Sequence, residues 1–331
     1  MSKPWSMGRR GLHLRAVELR VVGLLAVGAL ALGACSTTEE QSEPQGGPAA
    51  EDTASAAVDT PAVDPFVYVA LGDSYTAAHG VPTTSFKDGC RQSDRNYPTI
   101  VGERLAAQGV AVEVVDASCS GAATIHMERE RDAGGSSLVP AQFDSLREDA
   151  DLVTLSIGYN DFRLFHTMFG RCAVMRRVDP QGSPCRDLLV RPSGFDLLEK
   201  RVEVVGRRVA GVVRGIRERA PQAQILVVSY PHLVPEEGTC PERIPLAPGD
   251  YPYVRGVNTR MAQVLETAAG AVENAGYVDV TGASEGHDAC SEDAWMGGVD
   301  PMANRGTPFH PFAVEQRAVA GLVLQQVDVG A

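Results

Sequence analysis

Nothing after the first apolar run of this 331-residue chain reads as a nucleotide cradle. Neither GxxxxGK followed by Ser or Thr, nor GxGxxG, occurs there, so nucleotide binding has no sequence support. No two of the seven cysteines stand in CxxC spacing, which argues against a zinc cluster or a dithiol redox motif. Basic residues are scarce: 30 Lys and Arg face 42 Asp and Glu, a net charge of −12. That balance argues against nucleic acid as a partner and against docking onto anionic headgroups through the general surface. There is no internal repeat, and no linker after residue 64 that would mark a second domain.

What is present begins with an export signal. Arg9, Arg10, Arg15 and Arg20 precede VVGLLAVGALALGA, an apolar stretch too short to span a bilayer and ending in small residues. Residues 1–34 are expected to be a signal peptide. The Arg9-Arg10 pair leaves general secretory and twin-arginine export both open. Leu32-Gly33-Ala34-Cys35 resembles the lipobox of bacterial lipoproteins, which implies cleavage before Cys35 and acylation of its sulfur. Acyl chains hold through buried methylenes at about 0.8 kcal/mol each, so two or more chains would anchor the protein outside the cytoplasmic membrane. Plain secretion is the alternative. Removing residues 1–34 would shift the net charge to about −16.

Residues 35–64 are rich in Ser, Thr, Glu, Pro and Ala and have almost nothing to bury, as a tether requires. From residue 65 onward short apolar runs alternate with helical patterns. FVYVAL (66–71), VEVVDA (112–117), DLVTLSIG (151–158), QILVVSY (224–230) and YVDVT (277–281) read as strands buried on both faces. Helices are expected over 97–109, 195–220, 254–276 and 312–330. This alternation predicts one doubly wound α/β domain over residues 65–331. The loop-rich stretches 82–96, 159–192 and 231–253 are expected to wall a site.

With Cys35 assigned to the lipid, six cysteines remain, an even set in an oxidising compartment. They leave fifteen connectivities open, and pairing neighbours along the chain gives Cys90–Cys119, Cys172–Cys185 and Cys240–Cys290. Each bridge contributes about 2–4 kcal/mol.

In doubly wound sheets ligands bind beyond the carboxyl ends of the strands. Four polar segments fall there: Gly72-Asp73-Ser74, Cys119-Ser120-Gly121-Ala122, Gly158-Tyr159-Asn160-Asp161, and Phe309-His310-Pro311 at the start of the last helix. In order and spacing they resemble the four blocks of the SGNH hydrolases, the GDSL esterase/lipase family, over residues 66–328. The loop cysteines, Asn96-Tyr97-Pro98 and Gly286-His287 are similar to its actinobacterial secreted lipase/esterase branch. No GxSxG elbow surrounds Ser74, so the α/β-hydrolase layout is not implied.

The resemblance implies a three-layer α/β/α, flavodoxin-like fold with a five-stranded parallel sheet, and an esterase needing no metal or cofactor. It implies Ser74 as nucleophile, His310 as general base and acid, and an oxyanion hole from the Ser74 and Gly121 backbone N–H groups and the Asn160 side chain. The family's usual Asp three residues before the His is absent; Thr307 stands there. Some members hold the His with a main-chain carbonyl, so the Thr307 carbonyl is the expected orienter, with Asp300 as its rival. His287, flanked by acids, competes with His310 for the base. Asp73 and Asp161 read as caps of turn amides. Tyr75, Tyr159, Phe162, Phe165 and Trp295 are candidates for an acyl pocket or for plain packing. The expected substrate is a small acyl ester or lipid, taken by a monomer. A carbohydrate O-acetyl esterase is the alternative, and an inactive surface binding protein on the same scaffold is a third reading.

Overall fold

The computed structural model describes residues 64–86, 89–134, 138–300 and 306–329. The expected signal peptide (1–34), the lipid site at Cys35 and all of the expected tether but Asp64 lie outside the described residues.

Seven strands are present among the described residues. They are β1 (Phe66–Gly72), β2 (Val112–Asp116), β3 (Arg131–Asp132), β4 (Leu138–Val139), β5 (Leu152–Ser156), β6 (Gln224–Val228) and β7 (Ala275–Val278). Five form one sheet in the order β2-β1-β5-β6-β7, every neighbouring pair parallel. β3 and β4 make a small antiparallel pair. This is the doubly wound α/β arrangement expected from the alternation of runs, with the five-stranded parallel sheet and three layers that the family resemblance implies. The apolar runs form strands because both faces are covered. Val67, Val69, Leu71, Val153, Leu155, Ile225 and Val227 join one buried cluster, while Tyr68, Ala70, Leu226, Val228 and Val278 join the other.

The helices supply the outer layers. α1 (Ser74–Ala77) is a single turn, and α2 (Tyr97–Ala107) packs with α9 (Ala313–Leu324) over one face. α6 (Leu197–Arg219) and α7 (Asp250–Ala269) cover the other. Short helices α3 (Leu164–His166), α4 (Cys172–Met175) and α5 (Pro184–Leu189) lie in the connection after β5, and α8 (Val280–Ala283) follows β7. α6 buries Val202, Val205, Val209, Val212, Val213 and Ile216, the three- and four-residue spacing of one helical face. Its start is set by Asp196, whose carboxylate accepts from the Leu198 and Glu199 amides. Asn96 caps α2 in the same way through the Thr99 amide.

Three helix boundaries differ from the sequence reading by more than two residues. α7 begins at Asp250 rather than at 254, because Pro252 falls in its first turn, where the missing N–H removes no intrahelical bond. The same helix stops at Ala269 rather than at 276, because residues 275 and 276 belong to β7. α9 ends at Leu324, short of 330. The cysteines lie paired as Cys90–Cys119, Cys172–Cys185 and Cys240–Cys290.

The strand order turns back between β1 and β5, since β1 adjoins β2 on one side and β5 on the other. Such a switch point opens a crevice at the carboxyl edge. The chain leaves β1 there at Gly72, and a Cβ on Gly72 would collide with Thr76 Oγ1 and lie 2.8 Å from the Ser156 carbonyl. Only glycine lets the chain turn that sharply against β5.

Candidate active site

Ser74 opens α1 directly above the switch point. The turn is fixed from several sides. The Asp73 carboxylate accepts from the Tyr75 amide at 3.0 Å, and the Asp73 amide donates to the Ser156 carbonyl at 3.0 Å. Gln142 clamps Gly72, accepting from its amide and donating to its carbonyl, each at 2.8 Å. The Tyr230 hydroxyl donates to the other Asp73 oxygen at 2.6 Å. Burial pushes the Asp73 carboxyl up from 3.8 to about 7, against those two hydrogen bonds. Asp73 is therefore a buried cap, as is Asp161, which accepts from the Thr124 amide and hydroxyl and from Arg208.

His310 Nε2 lies 2.9 Å from Ser74 Oγ, across 236 positions of sequence. Its Nδ1 lies 2.8 Å from the Pro308 carbonyl oxygen. A carbonyl can only accept, so Nδ1 carries the proton and Nε2 is left to accept from the serine hydroxyl. Burial holds the imidazole below its ordinary value of 6.5, with the Pro308 carbonyl acting the other way.

The orienting carbonyl corrects the expectation for Thr307. The Thr307 carbonyl accepts from the His310 backbone amide at 3.0 Å, closing a turn. Phe309, in the middle of that turn, takes the left-handed conformation at φ 57°, which leaves the Pro308 carbonyl to meet the ring. Asp300 lines a separate cavity with Arg243, Met296 and Phe312. His287 stands apart too, stacked on Trp295 at 4.7 Å with Nδ1 on the Asp293 carbonyl.

A cavity of about 300 Å³ opens over the Ser74–His310 pair. Gly121 and Asn160 line it, so the four expected block residues share one site. Gly121 has φ 80°, and a Cβ there would sit 2.5 Å from Arg131 Nη2. Asn160 Nδ2 donates one hydrogen to the Ala122 carbonyl at 2.9 Å, fixing the amide beside the second block. Tyr75, Tyr159 and Phe165 form the aromatic wall. Phe162 instead lies under the Arg208 guanidinium, and Trp295 belongs to the His287 loop. Of the three loop stretches expected to wall the site, 82–96 and 159–192 contribute lining residues and 231–253 contributes none.

Four residues of the site were not singled out as such in the sequence. Gln142 sits in a turn with no motif around it. His79 lines the cavity with its ring 5.6 Å from His310, and burial together with His310 and Arg91 lowers its pKa to about 4. Arg91 and Arg131 also line the cavity. The only hint was that Arg91 adjoins Cys90.

A serine hydroxyl bonded to a carbonyl-anchored imidazole, at the switch point of a parallel sheet, defines the class of an α/β ester hydrolase. Residues 70–313 match the GDSL-like lipase/acylhydrolase family, and the chain belongs to it. Lipase 2 of Streptomyces coelicolor is 33% identical over 270 residues, covering 79% of this chain and 84% of that protein. The structure of phospholipase A1 from Streptomyces albidoflavus is similar at TM-score 0.60 and 25% identity, covering 80% of this chain and all of that one. An extracellular lipase from Streptomyces rimosus shares the fold at TM-score 0.62 and 23% identity, over 80% of this chain and all of its own. The protein is a carboxylic ester hydrolase.

Proposed function

We propose that the protein is an extracytoplasmic serine esterase or lipase that forms an acyl-enzyme on Ser74. His310 Nε2 takes the hydroxyl proton as Ser74 Oγ bonds to the ester carbonyl carbon. The tetrahedral oxyanion is met by the Ser74 and Gly121 backbone N–H groups and by the second Nδ2 hydrogen of Asn160. His310 then protonates the leaving alcohol as its C–O bond breaks. Water repeats the sequence to release the acid. The Pro308 carbonyl keeps the imidazole in the tautomer this needs and stands where a triad carboxylate would.

The 2.9 Å contact between Ser74 Oγ and His310 Nε2 carries the reading. The aromatic wall of Tyr75, Tyr159 and Phe165, and the lipase names of the relatives, support an acyl chain as the group bound. The export signal and lipobox in the sequence support a mature chain beginning at Cys35, held on the outer membrane face by its acylated sulfur. The test is hydrolysis of p-nitrophenyl esters from acetate to palmitate by the full chain and by Ser74→Ala. Turnover lost in the variant supports the reading, and the chain-length profile separates lipid from acetyl substrates. Equal turnover by both proteins would refute it.

A further inference from the structure

The charges around the cavity are at odds with those of the chain as a whole. The protein carries net −12, yet among the described residues the charged side chains lining the space over Ser74 are Arg91, Arg131 and the buried cap Asp73. Asp73 already accepts from the Tyr75 amide and the Tyr230 hydroxyl, and burial, which pushes its pKa up to about 7, leaves it only partly ionised near neutrality. Neither arginine forms an ion pair among the described residues. The nearest acidic influence on Arg131 is Asp132, whose carboxylate caps the Gly134 amide.

The two guanidiniums are built into place. Arg91 follows Cys90, which is bonded to Cys119 at the end of β2, and the Ser120 amide donates to the Cys90 carbonyl. Arg131 stands on β3, with Nη1 3.1 Å from Cys119 Sγ and Nη2 over Gly121. Burial and the nearby Arg91 both depress Arg131, so the two cations repel across the cavity. Arg91 Nη1 approaches His79 Nε2 at 3.3 Å, and the low pKa of His79 keeps that ring neutral. Ser120 Oγ, buried on the cavity wall, has no hydrogen-bond partner among the described residues. Two guanidiniums with no ion-pair partner among the described residues, beside a neutral imidazole, have the donor chemistry that an anion takes.

We propose that Arg91 and Arg131 bind an anionic group carried by the substrate, so that the preferred ester bears a phosphate diester or a carboxylate close to the scissile carbonyl. The inference rests on the esterase reading for the identity of the ligand as an ester, and it adds the charge of that ester. The anion relieves the Arg–Arg repulsion on binding, whereas a neutral ester leaves it in place. The aromatic wall is then left to the acyl chain.

Binding is measured apart from catalysis by calorimetry on the full chain carrying Ser74→Ala. Three ligands share two hexanoyl esters on glycerol: the 3-acetate is neutral, the 3-hemisuccinate carries a carboxylate, and the phosphatidylglycerol carries a phosphate diester. The expected result is that at least one anionic ligand binds about tenfold or more tighter than the acetate, and which one does so separates the two sources. Adding Arg131→Gln or Arg91→Gln collapses that ratio. Arg91→Gln changes a more exposed side chain and keeps the test sound should the Arg131 variant fold poorly. Equal binding of all three ligands, or a ratio unchanged in both variants, overturns the inference. Hydrolysis by the unaltered chain is scored separately. Anion preference without turnover refutes the esterase reading and leaves the anion site standing, and turnover without preference does the reverse.

Discussion

The Tyr75 hydroxyl donates to the Phe309 carbonyl at 2.8 Å, tying the residue after Ser74 to the residue before His310. The Tyr75 ring also lies against the imidazole, centroids 5.6 Å apart and planes 30° from parallel. Phe309 is held from its other side by Phe169, stacked at 4.7 Å. One tyrosine thus sets the spacing of two loops that are distant in sequence. Tyr75→Phe keeps the ring and strands a buried carbonyl. It should lower stability by about 1–3 kcal/mol in a chemical denaturation measurement. It should also lower kcat more than it changes KM. A loss of stability with kcat intact would mean the hydroxyl does not position His310.

The Pro308 carbonyl, not a side chain, faces His310 Nδ1. Thr307→Ala and Asp300→Asn should each keep kcat/KM within about threefold of the parent. Loss of the triad carboxylate where one operates costs about 10⁴ in kcat. A fall of that order in Asp300→Asn would identify it as the third catalytic member and contradict the geometry described.

Asn160→Ala removes the only side-chain donor assigned to the oxyanion. It should lower kcat by about 10²–10³ with KM little changed, since the hydrogen bond forms fully only in the transition state. Because the same amide donates to the Ala122 carbonyl, Asn160→Asp is a useful companion. It keeps the size of the side chain and places a negative charge beside the oxyanion, so it should be at least as damaging. A variant within threefold of the parent would remove Asn160 from the oxyanion hole.

His310 acts as a base only when neutral, and its pKa lies below the ordinary 6.5 because it is buried. The acid limb of kcat/KM should therefore fall below pH 6.5, with activity still full at neutrality. A midpoint above 6.5 would point to a different titrating group or to a carboxylate beside the ring.

Two buried carboxyls make stability fall as pH rises. Glu315, against Gln316 Nε2 at 2.6 Å, is pushed by burial from 4.5 to about 8, and Asp73 from 3.8 to about 7. Between the lower and upper values the folded chain holds protons that the unfolded chain has released, so unfolding becomes easier with rising pH. Tm should decline between about pH 5 and pH 8, and Glu315→Gln should flatten that decline by gaining most at pH 8. A variant that gains equally at both ends would show that Glu315 does not titrate in this window.

Much of this architecture was legible in the sequence because buried parallel strands announce themselves as short apolar runs. Val69, Leu71, Val153 and Val227 needed no partner information to be recognised. The edges were less clear: β7 begins at Ala275 with Gly276 inside it, a residue that reads as a strand breaker. The chemistry of the four strand-edge segments was legible because each pairs a glycine or tight turn with a polar side chain. The orienting carbonyl was not, since choosing Pro308 over Thr307 depends on the left-handed φ of Phe309, an aromatic that seldom takes it. Arg131 was invisible for a related reason. It reaches the cavity from a two-residue strand whose partner, β4, has no pattern of its own.

Cys35 bears on location, not chemistry. Under the proposed lipid anchor, Cys35→Ala should move the protein from the membrane fraction to the medium or the soluble fraction. Unchanged fractionation would contradict the anchor and leave the esterase reading untouched.

The central claim is a covalent acyl-enzyme on Ser74. Its most direct test is to mix the full chain with a p-nitrophenyl ester, quench in acid within the first turnover, and map the acylated peptide by mass spectrometry. The account predicts a burst of p-nitrophenol stoichiometric with enzyme and an acyl mass on the peptide containing Ser74, both lost in Ser74→Ala. Turnover with the acyl group on another residue, or on none, would contradict it.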